Sequence, residues 1–256
     1  VYELPHGSRA ARGKPIVNLL PLEPGERISA VLPVRDFPED RYVFMATRDG
    51  VVKKTPLSDF SRPRSNGIIA VGLRDEDHLV NVGLTDGDSE IMLISSAGKA
   101  LRFHESGVRA MGRGAAGVRG MRLEPGQRVI ALLVLGEGDI LTATEHGFGK
   151  RTPLADYPVR GRGNMGVIAI RAGGRNGEVI AGLQALDSDE VMLITRKGTL
   201  VRTPVDGISS MGRATQGVKL ISVGKDEPLV GMVRLEQLDT GDSASADASD
   251  SPSSDS

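Results

Sequence analysis

Four stretches of this chain can be laid over one another: VFMATRDGVVKKTPL from Val43, IMLISSAGKALRFHE from Ile91, ILTATEHGFGKRTPL from Ile140 and VMLITRKGTLVRTPV from Val191. Each is an apolar run, a two-residue turn ending in Gly, and a second run that closes on basic residues. The turns are Asp49-Gly50, Ala97-Gly98, His146-Gly147 and Lys197-Gly198. Glycine permits the positive φ of a tight turn, and the β-formers on either side then pair as a hairpin. A second landmark follows each hairpin: Gly67-Ile68, Gly117-Val118, Gly166-Val167 and Gly217-Val218. Both landmarks recur at about fifty residues, the range of propellers and solenoids. A partial copy, SRAARGKPIVNLL, opens the chain, with Pro15 where the others carry Gly.

Between landmarks come further strand-like runs, such as VIAIRA from Val167 and EVIAGLQAL from Glu178. Each unit therefore offers about four short strands, the content of one propeller blade. Long helical periodicity is missing. The reading is all-β, with blades around an axis; a solenoid would need its flat edges protected at both ends.

The second landmark contains Gly112-x-Gly114-x-x-Gly117 and Gly161-x-Gly163-x-x-Gly166, the glycine spacing of a dinucleotide-binding loop. That fingerprint needs a helix after the glycines, whose N-terminus holds the pyrophosphate. Here GVRGMRL and GVIAIRA follow, which alternate like strands. The other copies, SRPRSNG from Ser61 and SMGRATQG from Ser210, break the fingerprint and keep the register. What repeats is a Gly-rich basic loop.

The loops carry Arg9, Arg12 and Lys14, then Arg62 and Arg64, then Arg109 and Arg113, then Arg160 and Arg162, then Arg213. The hairpin ends add Lys53, Lys54, Arg102, Lys150, Arg151 and Arg202, and strands leaving the loops add Arg119, Arg122, Arg171 and Lys219. A base repeated once per blade becomes a belt around a ring. One charged loop would be a solvated turn; five in register are harder to dismiss. Body acids such as Asp75, Glu76, Asp77, Glu124, Glu178, Asp226 and Glu227 fall instead in the connections, which predicts two faces of opposite sign.

The net charge of −1 hides this asymmetry. Residues 239–256 hold five Asp and no base, which leaves a body of net +4. That terminal stretch has nothing to bury and is expected to be a disordered acidic tail. A basic belt with few aromatics matches the phosphates of duplex DNA better than single strands, which call for stacking platforms. No Cys is present, so disulfides and thiolate metal sites are excluded, and a reducing cytoplasm fits. No run approaches the ~20 apolar residues of a membrane span. His6, His78, His104 and His146 lack metal spacing, and no nucleophile, base and acid set can be assembled. No catalytic residue, metal or cofactor is assigned to this chain.

The runs ARGKPIVNLLPLEPGERISAVLPV, FSRPRSNGIIAV, VRAMGRGAAGVRGMRL and MGRATQGVKLI closely resemble the C-terminal domain of the bacterial DNA gyrase A subunit, over residues 1 to about 235. The resemblance implies a β-pinwheel, a propeller-like ring of four-stranded blades that exchange strands with their neighbours. It sets expectations of about five to six blades in a DNA-binding domain spanning 1–238, followed by the tail at 239–256. It also implies wrapping of duplex DNA around the rim, in support of negative supercoiling by an assembly that holds two copies each of the full gyrase A and B subunits. ATP and magnesium are used elsewhere in that assembly. The family's diagnostic box, Q-R-R-G-G-K-G, is absent here; the loops resemble degenerate copies of it, and the chain is expected to start within the second blade. The family's acidic tail modulates wrapping, and the Asp-rich stretch resembles it, with competition for the basic belt as the physical route. Two other readings stay open: the equivalent domain of topoisomerase IV, which selects DNA substrates, and a propeller scaffold for protein partners.

Overall fold

The computed structural model describes Pro15, Asn18, Leu22, Glu26 and residues 28–64, 67–224 and 226–235. Arg9, Arg12 and Lys14 of the partial first copy and the tail at 239–256 lie outside the described residues.

Each of the four turns closes a hairpin. The pairs are β1 (Tyr42–Thr47) with β2 (Val51–Pro56), β4 (Glu90–Ser95) with β5 (Lys99–His104), β8 (Asp139–Thr144) with β9 (Phe148–Thr152), and β12 (Glu190–Thr195) with β13 (Leu200–Pro204). A third strand then returns antiparallel to the first strand of its hairpin: β3 (Leu79–Thr85), β7 (Val129–Val134), β11 (Val179–Ala185) and β15 (Leu229–Leu235). These four strands lie side by side from blade to blade, which places them innermost, around the axis.

The fourth strand of a blade is borrowed. The two-residue strands β6 (Val118–Arg119), β10 (Val167–Ile168) and β14 (Val218–Lys219) each pair with the outer hairpin strand of the preceding blade: β2, β5 and β9. The sheets therefore read β3-β1-β2-β6, β10-β5-β4-β7 and β11-β8-β9-β14, with a three-stranded β13-β12-β15 closing the described residues. The described residues thus contain four blades, and strand exchange links them. The Gly67-Ile68 landmark forms no strand among them.

The second landmark's glycine makes the exchange possible. Gly166 has φ +77°, and a Cβ there would stand 2.3 Å from the Ala100 carbonyl oxygen of the blade it joins. Gly117 meets the Val52 carbonyl in the same way. Left-handed backbone and contact closer than any side chain allows both require glycine.

Alternation along the hairpins builds the core. Successive strand residues face opposite sides of a sheet, so a blade can pack on a neighbour at each face, as the second and third blades do. Phe44, Ala46 and Val52 of the first blade meet Ile91, Leu93, Leu101 and Phe103 of the second. Met92, Ile94 and Ala100 then face Ile140 and Val179 of the third, and Leu141 and Ala143 face Val191 and Leu193 of the fourth. Burying each of the larger side chains among these stabilises by about 1.5–3 kcal/mol. With no Trp, the aromatic share is small; Phe44 and Phe103 approach with ring centroids 6.3 Å apart.

Candidate nucleic-acid interface

The three Gly-rich loops that close at Gly117, Gly166 and Gly217 occupy the outer edge of the blades, opposite the axis, because each runs into a borrowed outermost strand. Each is strapped to the preceding blade at both ends. At the entry, Met111, Arg160 and Met211 donate their N–H to the carbonyls of Lys54, Arg102 and Arg151, at 2.8, 2.9 and 2.9 Å. At the exit, two successive N–H groups share the carbonyl of the turn glycine: Gly120 and Met121 on Gly50, Ala169 and Ile170 on Gly98, Leu220 and Ile221 on Gly147.

The loops also bond to one another. Gly72 donates to the Ala115 carbonyl (3.2 Å), Gly163 to Gly120 (2.5 Å), Arg122 to Asn164 (2.9 Å) and Arg171 to Thr215 (2.9 Å). The loop arginines at one register position reinforce this. Arg162 donates to the Arg119 carbonyl (3.0 Å) and Arg213 to the equivalent Ile168 carbonyl (3.4 Å). The result is a hydrogen-bonded strip running from blade to blade along the rim.

Along that strip Arg109, Arg119, Arg122, Arg160, Arg162, Arg171 and Lys219 are exposed, as are Arg62 and Arg64 ahead of Gly67, while Arg113 and Arg213 are half-buried. Of the expected loop bases, these are the ones the fold brings into register. Lys219 lies 5.8 Å from the Phe148 ring, and the Arg175 guanidinium covers the same ring at 4.5 Å.

The expectation that the hairpin-end bases join the belt is corrected by their surroundings. Lys53 and Lys150 are buried, with their ammonium groups on backbone carbonyls: Ala70 (2.7 Å) and Arg113 for Lys53, Gly212 and Arg213 for Lys150. Burial, helped by the Arg113 charge, holds Lys53 below the usual lysine range. Burial likewise pushes Lys150 down to about 8, with Asp156 opposing and Arg213 assisting.

Lys54 is paired with the fully buried Glu105 at 3.2 Å and lies 4.9 Å from the Tyr42 ring. Glu105 also accepts from Thr85 Oγ1 and from the N–H groups of Gly87 and Ser89, all at 2.9 Å. Arg102 is held by Glu90 (Nε to Oε2, 3.0 Å) and the carbonyls of Leu154 and Tyr157. Arg151 is held by Asp187, Asp139 and the Ile208 carbonyl. These five side chains are committed inside their blades. Arg202 makes the same pair with Glu190 but keeps 63% exposure, because no following loop covers it among the described residues. Of the six hairpin-end bases it is the one still open to a phosphate.

A sequence signal for these pairs exists. Glu90 and Glu190 precede Arg102 and Arg202 by twelve residues, and Asp139 and Arg151 keep the same spacing, as do Tyr42 and Lys54. An acid at the start of a hairpin and a base at its end, in constant register, mark a cross-strand pair.

The connection acids divide. Asp77 is buried and accepts from the N–H groups of Asp49 (3.0 Å) and His78 (2.8 Å). Glu227 accepts from the hydroxyls of Thr195 and Thr199, which hold its carboxyl below the usual range. Glu178 pairs with Arg128 at 2.6 Å. Asp75, Glu76, Glu124 and Asp226 are exposed. Among the described residues no three His, Asp or Glu side chains converge as a metal site, and no helix is long and apolar enough to cross a membrane.

Comparison with known proteins bears on this strip. A family model described as the DNA gyrase C-terminal domain, beta-propeller, matches residues 1–35, 41–86, 89–135, 138–185 and 189–236. Its five segments coincide with the partial copy and the four full repeats. Among curated proteins, the chain is 54% identical over 254 residues to the DNA gyrase A subunit of Salmonella typhimurium (strain LT2), covering 96% of this chain and 29% of that protein. It is 52% identical over 257 residues to the DNA gyrase A subunit of Escherichia coli (strain K12), covering 98% of this chain and 29% of that protein. The chain thus spans under a third of the length of these relatives. Among solved structures it is similar to the C-terminal domain of DNA topoisomerase IV, with a TM-score of 0.83 at 30% identity, over 88% of this chain and 71% of that one. A DNA gyrase A C-terminal domain structure shares the fold, with a TM-score of 0.79 at 24% identity, over 88% of this chain and 76% of that one.

Proposed function

This chain belongs to the DNA gyrase C-terminal domain family, and on that premise we propose that its rim binds duplex DNA by the phosphate backbone and bends it around the blades, as the non-catalytic wrapping module of a gyrase A subunit. The observation that carries the reading is the loop-to-loop strip: exposed arginines stand on backbone that is hydrogen-bonded from one blade to the next. Bending a 20–30 base-pair site costs on the order of several kcal/mol. Only contacts continuous along the curve offset that cost, and rigidly strapped loops supply them at low ordering cost. The contacts are to backbone, so binding is weakly sequence-selective.

In this reading the module works with the B subunit, and with the rest of its own A subunit, in an A2B2 assembly in the bacterial cytoplasm. Wrapping presents a DNA segment to the strand-passage core, and ATP with magnesium is used on the B subunit. This chain contributes position and charge and no reacting group.

The test is ligation of nicked DNA circles in the presence of the full 256-residue chain. Wrapping shifts the linking-number distribution after ligation. Tight binding with an unshifted distribution refutes wrapping. That outcome would favour a second reading, supported by the 30% identity to the topoisomerase IV domain, in which the rim selects DNA substrates without winding them.

A further inference from the structure

Lys53 and Lys150 each stand three residues after a turn glycine, where the second and fourth blades have Leu101 and Val201. A charge buried where its equivalents are apolar is costly unless it is well hydrogen-bonded, and both lysines spend their donors on the next loop. Beside the Ala70 carbonyl, Lys53 takes that of Arg113, and Lys150 takes those of Gly212 and Arg213. In a trans peptide the N–H points opposite to the C=O. Turning the Arg113 carbonyl inward therefore turns the Gly114 N–H outward. Turning the Gly212 and Arg213 carbonyls inward does the same for the N–H groups of Arg213 and Ala214. None of these three N–H groups donates to an acceptor in the described residues, and Gly114 and Ala214 are exposed.

The intervening loop lacks such a lysine, although the Arg213 loop shares one of its braces, Arg213 on the Ile168 carbonyl (3.4 Å). Leu101 offers its backbone nothing, so the loop is braced by its own Arg162 on the carbonyls of Gly107 (2.7 Å) and Arg119 (3.0 Å). The N–H of Gly163 is used on Gly120 (2.5 Å).

We propose that the loops around Gly114 and around Arg213–Ala214 are backbone-amide sockets for phosphate, each shaped by the buried lysine beneath it, and that they alternate along the rim with a loop that has no such lysine and whose equivalent N–H is already used. The proposal rests on the duplex reading of the rim and names the atoms that do part of the gripping. Outward amides in a turn make an anion-binding concavity, and hydrogen bonds to a charged oxygen are short and strong. Lys53 and Lys150 are positioning residues. They do not touch the phosphate; they hold the loop in the conformation that does.

The experiment is a titration of the full, 15N-labelled chain with a short duplex, following the amide resonances of Gly114, Arg213 and Ala214, for the wild type and for Lys53→Leu and Lys150→Leu. Leucine already fills this position at Leu101, so the blades accommodate it. In the wild type all three amides shift on binding. Each variant binds about tenfold more weakly and loses the response of its own loop alone: Gly114 in Lys53→Leu, Arg213 and Ala214 in Lys150→Leu. General loosening of the fold would blunt both loops together, so loop-specific loss is the signature of positioning. Duplex binding that leaves the three wild-type amides unmoved overturns the proposal while the duplex reading stands, as do leucine variants with full affinity and normal shifts. Absence of any duplex binding by the wild type overturns both. The wild-type shifts decide the matter even where a variant fails to fold.

Discussion

Replacing Arg109, Arg119 and Arg122 together with Ala removes three exposed guanidiniums from the rim while leaving the straps intact, because those straps use backbone N–H and C=O groups. Exposed positions of this kind change stability by only about 0.5 kcal/mol each, so the fold survives and the effect falls on binding. Each phosphate neutralised by a cation contributes about 0.9 to the slope of log affinity against log salt. Three lost contacts reduce that slope by about 2.7, so across a fourfold rise in salt the variant loses about 40-fold less affinity than the wild type. The assay is fluorescence anisotropy with a labelled duplex at 50, 100 and 200 mM salt, on the full chain. The matched control is Arg102→Met, which removes a base enclosed by Glu90, Leu154 and Tyr157. The control should lower the melting temperature and leave the slope at the wild-type value. A triple variant with an unaltered slope, or a control that flattens it equally, refutes the division into rim and in-blade bases.

Glu105→Gln should destabilise by about 3–5 kcal/mol, since it leaves Lys54 buried without its counter-charge; urea denaturation measures it. Gly166→Ala should cost at least about 1–2 kcal/mol from the left-handed backbone alone, with the 2.3 Å approach to Ala100 adding to it, and should reduce hydrogen-exchange protection of Val167 and Ile168 first. Lys150 has a folded pKa of about 8, below its unfolded value near 10.5, so the unfolded chain binds more protons between those limits. The stability of the wild type relative to Lys150→Met should therefore rise with pH from about 8 to 10.5 and level off above. Chemical denaturation of both proteins across that range checks the sign, and a difference that falls with pH would contradict it.

Much of the architecture was legible because it repeats. The four Gly-ended turns predict hairpins, and all four form. The Gly-β-branched landmark predicts a further strand, and three of its four copies supply one, although each pairs for only two residues before the chain bends away. That those strands join the preceding blade was legible only through the family resemblance, since pairing partners carry no signature in a two-residue strand. The rim was half legible. The loop bases follow from register, and Arg109, Arg119, Arg160 and Arg162 reach the surface. The hairpin ends misled because a base closing a strand reads as solvated. Lys53 and Lys150 point into the blade, and apart from Ala70, 17 residues from Lys53, their partners are carbonyls about sixty residues away. Backbone acceptors at that separation leave no mark in composition or spacing. The cross-strand acids did leave one, at twelve residues.

A blade here is finished by its successor. The first hairpin is complete at Pro56, yet its outer edge stays open until Val118 and Arg119 arrive, one whole repeat later. On a ribosome, that edge would wait through the making of roughly sixty more residues, several seconds at ordinary elongation rates. Unpaired edges invite the wrong partner, so the order of assembly in this molecule is written into its wiring. Each newly emerged repeat is the chaperone of the one before it.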